Sequence, residues 1–456
     1  ALTCWPVLSR PGFAFVTIGP PARPRRLAAV AVLQPRLGVL GIACGYLTGM
    51  VIGGLGPVVL VRHPSSATLP VMSQARRPRI LCISFSELAL DARVLRQLRI
   101  LAEFGDVTTL AIGAKTADST EHLELDGSLP SLPQTPAGVA LLAARRFERV
   151  EFEAPAIKAA LRLAEGKYFD LVVANEARAL GLATRIANGA PVLGDMHEWA
   201  PEERAHVRSW RLLVKPFMTQ QCGKYLPAID AVTTVNDSIA GMYASRFGCS
   251  PRVVRNASPL AKLSPTPVVD DRIRLVHSGG AVPGRNVEVL IDAAVRLEHR
   301  FSLDLYLVPA RDGGKYLDHL KSLTAASDSI TLHPPVLPSE LVTTLNAYDV
   351  GVFSLPHLTP NHRFMLPNKF FDFVQARLGI VFNSAPETDA LITEHDLGVI
   401  AGDATADAMV AALDGLDTEQ VRRFKANADR AAAALCSEQD EKVLRDIMAT
   451  LLGITG

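Results

Sequence analysis

Apolar runs alternate with segments of helical periodicity along most of the chain. Residues 79–85 form an apolar run of the kind that is buried on both faces of a parallel sheet. In the stretch 91–104, apolar residues recur at the spacing of one helix face, and a second strand-like run follows at 107–112. This order of strand, helix and strand predicts one βαβ unit.

The same alternation continues in two blocks. In the first block, the pattern predicts strands at 171–174, 191–195, 231–235 and 252–255 and helices at 153–166, 177–187, 201–226 and 237–247. In the second, it predicts strands at 273–277, 303–308, 330–333 and 349–354, helices at 286–297, 315–325 and 338–347, two βα units at 378–415 and helices at 418–435 and 437–452. Residues 114–150 are less regular, and we expect a loop with a short helix there.

The two blocks are separated by residues 257–271, a stretch rich in Pro and Ser that we interpret as a linker. The sequence therefore predicts an α/β protein with two doubly wound, Rossmann-like domains, at 73–256 and 272–436, that face each other across a cleft. Residues 437–456 form a separate final helix. Ligands bind at the carboxyl ends of parallel strands, so one domain can hold a donor and the other an acceptor.

Residues 1–72 differ from the rest of the chain. No Asp or Glu precedes Glu87, and residues 37–61 form an uncharged stretch long enough to cross a bilayer. As an anchor, it would place the bulk of the chain outside, because arginines precede it. Its length argues against a signal-like segment. Of the three alternatives we favour an upstream extension with a natural start near Met72, and hence a cytoplasmic protein, with peripheral membrane contact left open.

The composition is that of a globular protein, with 48% hydrophobic residues, 20% charged residues and a net charge of +1. The chain has no basic stripe interleaved with aromatic residues, so we expect no nucleic-acid partner. Six cysteines are scattered without a CxxC pair, which fits a reducing compartment. There is no HExxH motif and no Asp-x-Asp after a strand, so we expect no metal ion and no cofactor.

The most informative stretch is Leu-Pro-Asn-Lys-Phe-Phe-Asp-Phe at 366–373, which follows a predicted strand and a polar loop. Pro367 suits the first turn of a helix, where its missing N–H costs nothing. Asn368, Lys369 and Asp372 then lie near the positive end of the helix dipole, which favours an anion such as a pyrophosphate. Asp372 can hold hydroxyl groups beside that anion. The alternative is an ordinary capped helix with a Lys–Asp pair on its surface.

A second candidate lies at the start of the second block. The strand at 273–277 is followed by Ser-Gly-Gly-Ala-Val-Pro-Gly-Arg-Asn. Gly279 and Gly280 let the backbone approach a phosphate, and Arg285 lies at a helix start where it can pair with the anion. The stretch matches neither GxGxxG nor the P-loop pattern, so a plain strand-to-helix turn is the alternative.

Candidate residues of the first block also follow predicted strands. His197 and Glu198 come directly after one strand, where a histidine can contact a sugar or act on a proton, and Glu176 follows another. A surface or structural histidine is the alternative. Asp91 and Arg93 follow the first strand, where they can meet an acceptor or a phosphate. A helix-capping Asp91 with a solvated Arg93 explains them equally well.

Taken in order, these pieces resemble glycosyltransferases of the GT-B fold, and specifically the retaining enzymes of family 4, from about Arg79 to the C-terminus. The most specific match is Pro-Asn-Lys-Phe-Phe-Asp at 367–372, which is similar to the family's Pro-Asn-Lys-Leu-Phe-Glu-Tyr. Further stretches that resemble the family lie at 91–94, 195–198, 231–240 and 253–256.

The resemblance implies an enzyme of hexosyltransferase type. It would transfer a sugar from a nucleoside-diphosphate sugar to an acceptor hydroxyl without a metal, in the synthesis of a cell-surface polysaccharide or glycolipid. Arg285 and Lys369 would neutralise the leaving diphosphate, Asp372 would hold the ribose and His197 would lie beside the sugar. The final helix would cross back onto the first domain. The other predicted substrate-binding residues are Gly279, Gly280, Asn368, Arg93 and Glu198, and the acceptor, whether carbohydrate, lipid or small molecule, is left open.

The chain also departs from the family pattern. Phe364 stands where the family often has a second Glu, Asp372 replaces the longer Glu, and Ser84–Glu87 replaces a loop with paired glycines. The run 376–379 replaces Ala-Gly-x-Pro. These departures motivate two alternatives, a non-catalytic GT-B protein that binds a nucleotide or a partner and a sugar-nucleotide epimerase of the same architecture.

Overall fold

The computed structural model describes residues 76–205, 207–269, 272–310, 312–325 and 327–454. The predicted apolar segment at 37–61 and the proposed start near Met72 lie outside the described residues. Within the described ranges, no helix is both long enough and apolar enough to cross a bilayer.

The first sheet has seven parallel strands. Their bounds are β1 Arg79–Glu87, β2 Asp106–Ile112, β3 Glu121–Leu125, β4 Leu171–Asn175, β5 Val192–Met196, β6 Ala231–Thr234 and β7 Arg252–Val253. The strands lie in the order β3-β2-β1-β4-β5-β6-β7, so the chain reverses its direction of travel between β1 and β4. This is the doubly wound order, in which a crevice opens at the carboxyl ends of the strands on either side of the reversal.

Helices connect these strands, except that a loop joins β2 to β3. They are α1 Ala92–Phe104, α2 Pro136–Ala143, α3 Phe147–Val150, α4 Pro155–Leu163, α5 Leu180–Ala187, α6 Arg208–Tyr225 and α7 Asp237–Phe247. Short 3-10 turns lie at Leu88–Leu90, Ala177–Ala179 and Ala200–Glu202. Because every connection between neighbouring parallel strands must cross over the sheet, the helices cover its faces.

The second sheet has six parallel strands. Their bounds are β8 Ile273–Ala281, β9 Phe301–Pro309, β10 Ile330–His333, β11 Val350–Phe353, β12 Gly379–Asn383 and β13 Gly398–Ala401. The order β10-β9-β8-β11-β12-β13 repeats the topology of the first sheet, with the reversal between β8 and β11.

The helices after β8 complete the chain. They are α8 Val287–Arg296, α9 Lys315–Thr324, α10 Pro338–Leu345, α11 Pro360–Arg363, α12 Asn368–Gln375, α13 Pro386–His395, α14 Ala406–Asp414, α15 Thr418–Ala431 and α16 Ser437–Leu452. The prediction of two doubly wound α/β units is confirmed. The described residues from Val254 to Val269, between the two sheets, contain no helix or strand.

The final helix α16 packs on the first sheet although it follows the second in sequence. Leu444, Ile447 and Met448 are buried in one apolar cluster with Ile80 of β1 and Leu98 of α1. Their spacing puts these three side chains on one face of the helix. Arg445 of α16 also forms an ion pair with Glu103 of α1 at 2.8 Å.

Several local expectations were wrong. The region 114–150 holds the strand β3 and two helices rather than a loop with one short helix. Strand β3 is an edge strand of five residues, too short for its alternation of Leu123 and Leu125 with polar residues to stand out. Strand β8 continues to Ala281, so Gly279 and Gly280 pair with β9 instead of lying in a loop. Helix α12 begins at Asn368, one residue later than predicted.

Candidate active site

Helix α12 is fixed against the second sheet by aromatic packing. Phe370, Phe371 and Phe373 are fully buried, and Phe373 lies directly over Gly351 of β11. A Cβ on Gly351 would lie 2.2 Å from the Phe373 ring, so only glycine permits this close approach. The sequence Phe-Phe-Asp-Phe therefore sets the position of the helix, and with it the polar residues of its first turn.

The N-terminus of α12 has no side-chain cap. Pro367 occupies the cap position, where its side chain has no oxygen to accept from the helix N–H groups. Asn368, the first helical residue, is exposed and lines a pocket that opens toward the first sheet. Uncapped N–H groups at the positive end of a helix favour an anion.

Lys369 lies beside the end of strand β8. Its Nζ is 4.3 Å from the centroid of the Phe353 ring and 3.3 Å from the position that a Cβ on Gly279 would take. Burial lowers the pKa of Lys369 to about 7, and the nearby Arg285 guanidinium acts in the same direction while Asp372 opposes it. Two cationic side chains are therefore held together here, which disfavours the charge on the lysine until an anion binds.

His277 belongs to the same cluster and was missed from the sequence. It is buried in β8, and its Nδ1–H donates to the backbone oxygen of Val352 at 2.9 Å. Burial lowers its pKa to about 3, with further lowering from Lys369 and Arg285. His277 is thus a neutral side chain near the cationic Lys369 and Arg285. A buried polar residue in an apolar strand is the only signal that would have identified it.

Asp372 lies one turn after Lys369 and is half-buried. The hydroxyl of Ser258 donates to its Oδ1 at 2.5 Å. Burial raises the pKa of Asp372, although Ser258, Lys369 and Arg96 each favour its ionised form. Ser258 lies between the two sheets and Arg96 belongs to α1 of the first domain, so groups outside the second sheet contribute to the charge state of Asp372.

The side chain of Arg93 is buried and forms an ion pair. Its guanidinium binds both carboxylate oxygens of Asp195, at 2.6 and 2.8 Å, and donates to the backbone oxygen of Val254 at 2.7 Å. Both charged side chains are almost fully buried. The expectation of a solvated Arg93 is therefore wrong, whereas Asp91 does cap α1 by accepting from the N–H of Val94.

His197 follows strand β5 on the opposite wall. Its Nε2 lies 3.1 Å from Oδ1 of Asn175 and 3.4 Å from Oδ2 of Asp195. Burial would raise the pKa of Asp91, but His197 and the Ser86 hydroxyl hold that pKa below its usual value. Asn175 ends strand β4 and was not identified from the sequence, although a polar residue closing the run Leu-Val-Val-Ala was a usable signal.

Two glutamates lie beside His197. Glu198 lines the same pocket, and its backbone oxygen accepts from the Tyr243 hydroxyl at 2.7 Å. Glu176 follows β4 with a φ of 68°, a left-handed conformation that is uncommon for a residue other than glycine. Its carboxylate is paired with Arg178 at 2.7 Å, which also binds Glu203 at 3.0 Å.

These residues meet across one pocket between the carboxyl edges of the two sheets. The pocket has about 910 Å³ of empty space, part of it open to solvent. The predicted residues Arg93, His197, Glu198 and Asn368 line it. A second group adjoins Asn368 and is centred on Lys369, which interacts with Arg285, Gly279 and Asp372. Gly280 is exposed next to Gly279.

The segment between β11 and α12, which includes the short helix α11, connects the two walls. Asn361 accepts from the backbone N–H of Trp199 at 2.9 Å and donates to the Trp199 oxygen at 3.2 Å. Asn236 donates to the backbone oxygen of Phe364 at 2.6 Å. The side chain of Phe364 packs against the apolar cluster of the first sheet. Where the family resemblance suggested an acid, this chain has an apolar contact between the two walls.

No group of three or more His, Cys, Asp or Glu side chains in the described ranges is arranged to hold a metal ion. The four described cysteines, Cys82, Cys222, Cys249 and Cys436, are free and buried.

The chain matches no protein-family model, and no curated protein matches its sequence. Its structure is similar to that of sucrose-phosphate synthase from Thermosynechococcus elongatus, with a TM-score of 0.61 and 16% identity, covering 83% of this chain and 100% of that chain. It is also similar to HepE from Anabaena in complex with UDP-glucose, with a TM-score of 0.57, 14% identity and coverage of 82% and 100%. A glycosyltransferase from Rickettsia africae gives a TM-score of 0.58, 13% identity and coverage of 83% and 100%.

The chain has the GT-B fold. Similarities at these identities establish the fold alone. They leave the family 4 assignment, the donor and the acceptor as proposals.

Proposed function

We propose that the protein is a glycosyltransferase that moves a sugar from a nucleoside-diphosphate sugar to an acceptor hydroxyl. The observation that carries this proposal is the pairing of two cationic side chains, Lys369 and Arg285, at the uncapped start of α12. Asn368, the residue before Lys369, lines a pocket whose other wall holds His197. A GT-B neighbour was crystallised with UDP-glucose, which supports a nucleotide-sugar as the ligand of this edge.

In this proposal the second sheet binds the donor. Lys369, Arg285 and the N–H groups of α12 bind the diphosphate and stabilise the charge that develops on it as the sugar leaves. One such preorganised contact lowers the barrier by on the order of 3 kcal/mol. Asp372, already bound at Oδ1 by Ser258, receives a ribose hydroxyl at its other oxygen. Gly279 and Gly280 provide the space for the phosphate.

The first sheet then binds the acceptor. Its wall of the pocket presents Asp91, His197 and Glu198, whose oxygen and nitrogen atoms accept hydrogen bonds from hydroxyl groups. Arg93 contributes to this wall indirectly, because it fixes Asp195 beneath His197. We further propose that transfer is retaining and needs no metal, as in family 4, and that the product belongs to a cell-surface polysaccharide or glycolipid.

The proposal is tested by a thermal-shift screen of UDP, GDP, UDP-glucose and GDP-sugars, combined with an assay for release of the nucleotide. A ligand that binds only the folded state raises the melting temperature. We expect a shift with one nucleotide series, lost in Lys369→Ala and Asp372→Ala. Lys321→Ala removes an exposed lysine of α9 and serves as the matched control.

The same two readouts separate the alternatives. A nucleotide-dependent shift without release of nucleotide supports a non-catalytic binding protein. Conversion of the donor sugar without an acceptor supports an epimerase. If no ligand of the panel produces a thermal shift or is turned over, a nucleotide-sugar site is excluded.

A further inference from the structure

The amide of Asn175 has a fixed orientation. Its side chain is buried, and Nδ2 lies 3.1 Å from the backbone oxygen of Ile83 and 3.0 Å from Oε1 of Gln97. A backbone carbonyl can only accept a hydrogen bond, so the atom facing Ile83 must be the NH₂ group. The other amide atom, Oδ1, therefore faces His197.

This orientation determines which nitrogen of His197 carries the proton. Oδ1 of Asn175 can only accept, and it lies 3.1 Å from Nε2 of His197. The second neighbour of Nε2 is Oδ2 of Asp195 at 3.4 Å, which is also an acceptor. Both neighbours require a donor, so a neutral His197 carries its proton on Nε2.

Asp195 cannot take over the proton. Its carboxylate accepts from Arg93 at both oxygens, from Thr233 at 2.7 Å and from Gln97 at 3.2 Å. Burial would raise the pKa of Asp195, but Arg93 and His197 hold it far below its usual range. The carboxylate therefore stays ionised and remains an acceptor under His197.

The remaining nitrogen, Nδ1, is then an unprotonated acceptor. Across the parts of the chain that the structure describes, it has no hydrogen-bond partner. The His197 side chain is 18% exposed and lines the pocket between the two sheets. A lone pair is thus available on a wall that faces the end of the proposed donor site.

We propose that Asn175 is a positioning residue that holds His197 in its Nε2-protonated form, so that Nδ1 accepts a hydrogen bond from a hydroxyl group of a bound sugar. The part that concerns the sugar rests on the proposed function. The part that concerns the imidazole stands on the geometry of β1, β4, β5 and α1 alone.

The first test observes the imidazole directly. Protein labelled with ¹⁵N in its histidines is recorded by long-range ¹H–¹⁵N correlation at a pH where the ring is neutral, and His197 is assigned from the signal missing in His197→Gln. We expect a pyrrole-type Nε2 and a pyridine-type Nδ1. The opposite pattern, or a mixture of both tautomers, overturns the proposal, whatever the protein's activity.

The second test uses paired substitutions and turnover of UDP-glucose. His197→Asn keeps a polar atom near the position of Nδ1, whereas His197→Gln keeps one near Nε2, so we expect the Asn variant to retain more of kcat. Asn175→Ala releases the ring and lowers kcat by at least about tenfold, with little change in KM for the donor.

These outcomes distinguish the two levels of inference. A wild-type protein that binds no nucleotide and turns over no donor refutes the proposed function and the sugar contact together, while the spectrum still decides the tautomer. Normal turnover in Asn175→Ala, with an unchanged melting temperature, overturns the positioning role alone. A general loss of folding in that variant would appear in the melting temperature, and the wild-type spectrum then carries the test.

Discussion

The Nζ of Lys369 lies 3.3 Å from the place where a Cβ on residue 279 would stand. Gly279 also has a φ of 153°, in the region that side chains other than glycine rarely adopt. Strand β8 and helix α12 thus approach each other at the point where we place the diphosphate, and glycine is required there for two separate reasons.

Gly279→Ala should therefore weaken nucleotide binding. The added methyl group displaces Lys369 and strains the backbone, which destabilises the fold by about 1–2 kcal/mol. We expect a lower melting temperature and a reduced or absent shift with UDP-glucose. Gly402→Ala is the control, because its Cβ would meet no atom within 4 Å and its φ is not in the positive range. A full nucleotide shift in Gly279→Ala would contradict the close approach.

Donor affinity should fall as the pH rises through neutrality. Lys369 has a pKa of about 7 without ligand, because burial and Arg285 disfavour its charge. A bound diphosphate favours the charged form and raises that pKa, so binding takes up a proton in this range. Below pH 7 the lysine is already charged and affinity is constant. Above pH 7 the dissociation constant rises by up to about tenfold for each pH unit until the pKa of the complex is reached.

Isothermal titration with UDP-glucose between pH 6 and pH 9 measures this effect, since a diphosphate diester does not itself titrate there. Lys369→Arg is the informative variant, because an arginine stays charged throughout the range. It should bind with little dependence on pH. A wild-type affinity that is flat from pH 6 to pH 9 would argue against Lys369 as the titrating contact.

The start of α12 and the region of the donor site could be predicted because their signals are local. Pro367, the phenylalanines and Lys369 lie within seven residues, and helix geometry alone sets which of them share a turn. The two sheets were also predictable, since each buried parallel strand is an apolar run of its own.

The remaining contacts could not be predicted because they join distant parts of the chain. Arg93 and Asp195 are 102 residues apart, and Ser258 and Asp372 are 114 residues apart. No residue near Arg93 in the sequence indicates that its guanidinium forms an ion pair with a buried carboxylate. The position of a residue after a predicted strand indicates that its side chain lies at the edge of the sheet. Only the folded structure shows whether that side chain is already bound to another residue.

The Arg93–Asp195 pair should matter for stability more than for substrate contact. Removing one partner of a buried ion pair leaves an uncompensated charge and costs about 3–5 kcal/mol. We expect Arg93→Ala to lower the free energy of unfolding by about this amount in urea denaturation. Asp195→Asn keeps the shape of the side chain but leaves the buried Arg93 guanidinium without its counter-charge, so we expect a loss of similar size. A stable Arg93→Ala protein with lost acceptor binding would instead favour a direct substrate role.

Ser258 should control discrimination of the ribose. Its hydroxyl fixes Oδ1 of Asp372, which leaves Oδ2 for a ribose hydroxyl in the proposed complex. A hydrogen bond to a charged group contributes about 1.5–3 kcal/mol, so wild type should prefer UDP to 2′- or 3′-deoxy-UDP by tenfold or more. Asp372→Asn should reduce that ratio strongly and Ser258→Ala partially. Equal ratios in all three proteins, measured by competition, would remove Asp372 from the ribose site.

The contact between Asn361 and Trp199 should hold the two walls of the cleft together. Asn361 makes two hydrogen bonds with the Trp199 backbone, each contributing about 1 kcal/mol. Asn346 is a matched asparagine, since its side chain also makes two hydrogen bonds with the backbone, donating to the carbonyl oxygens of Ser264 and Ala376. We expect both alanine variants to lose similar stability. Only Asn361→Ala should open the cleft, seen as a larger radius of gyration in small-angle X-ray scattering without ligand. If the two variants scatter alike, Asn361 of α11 does not control closure, and the contact between the walls rests on Asn236 and Phe364 instead.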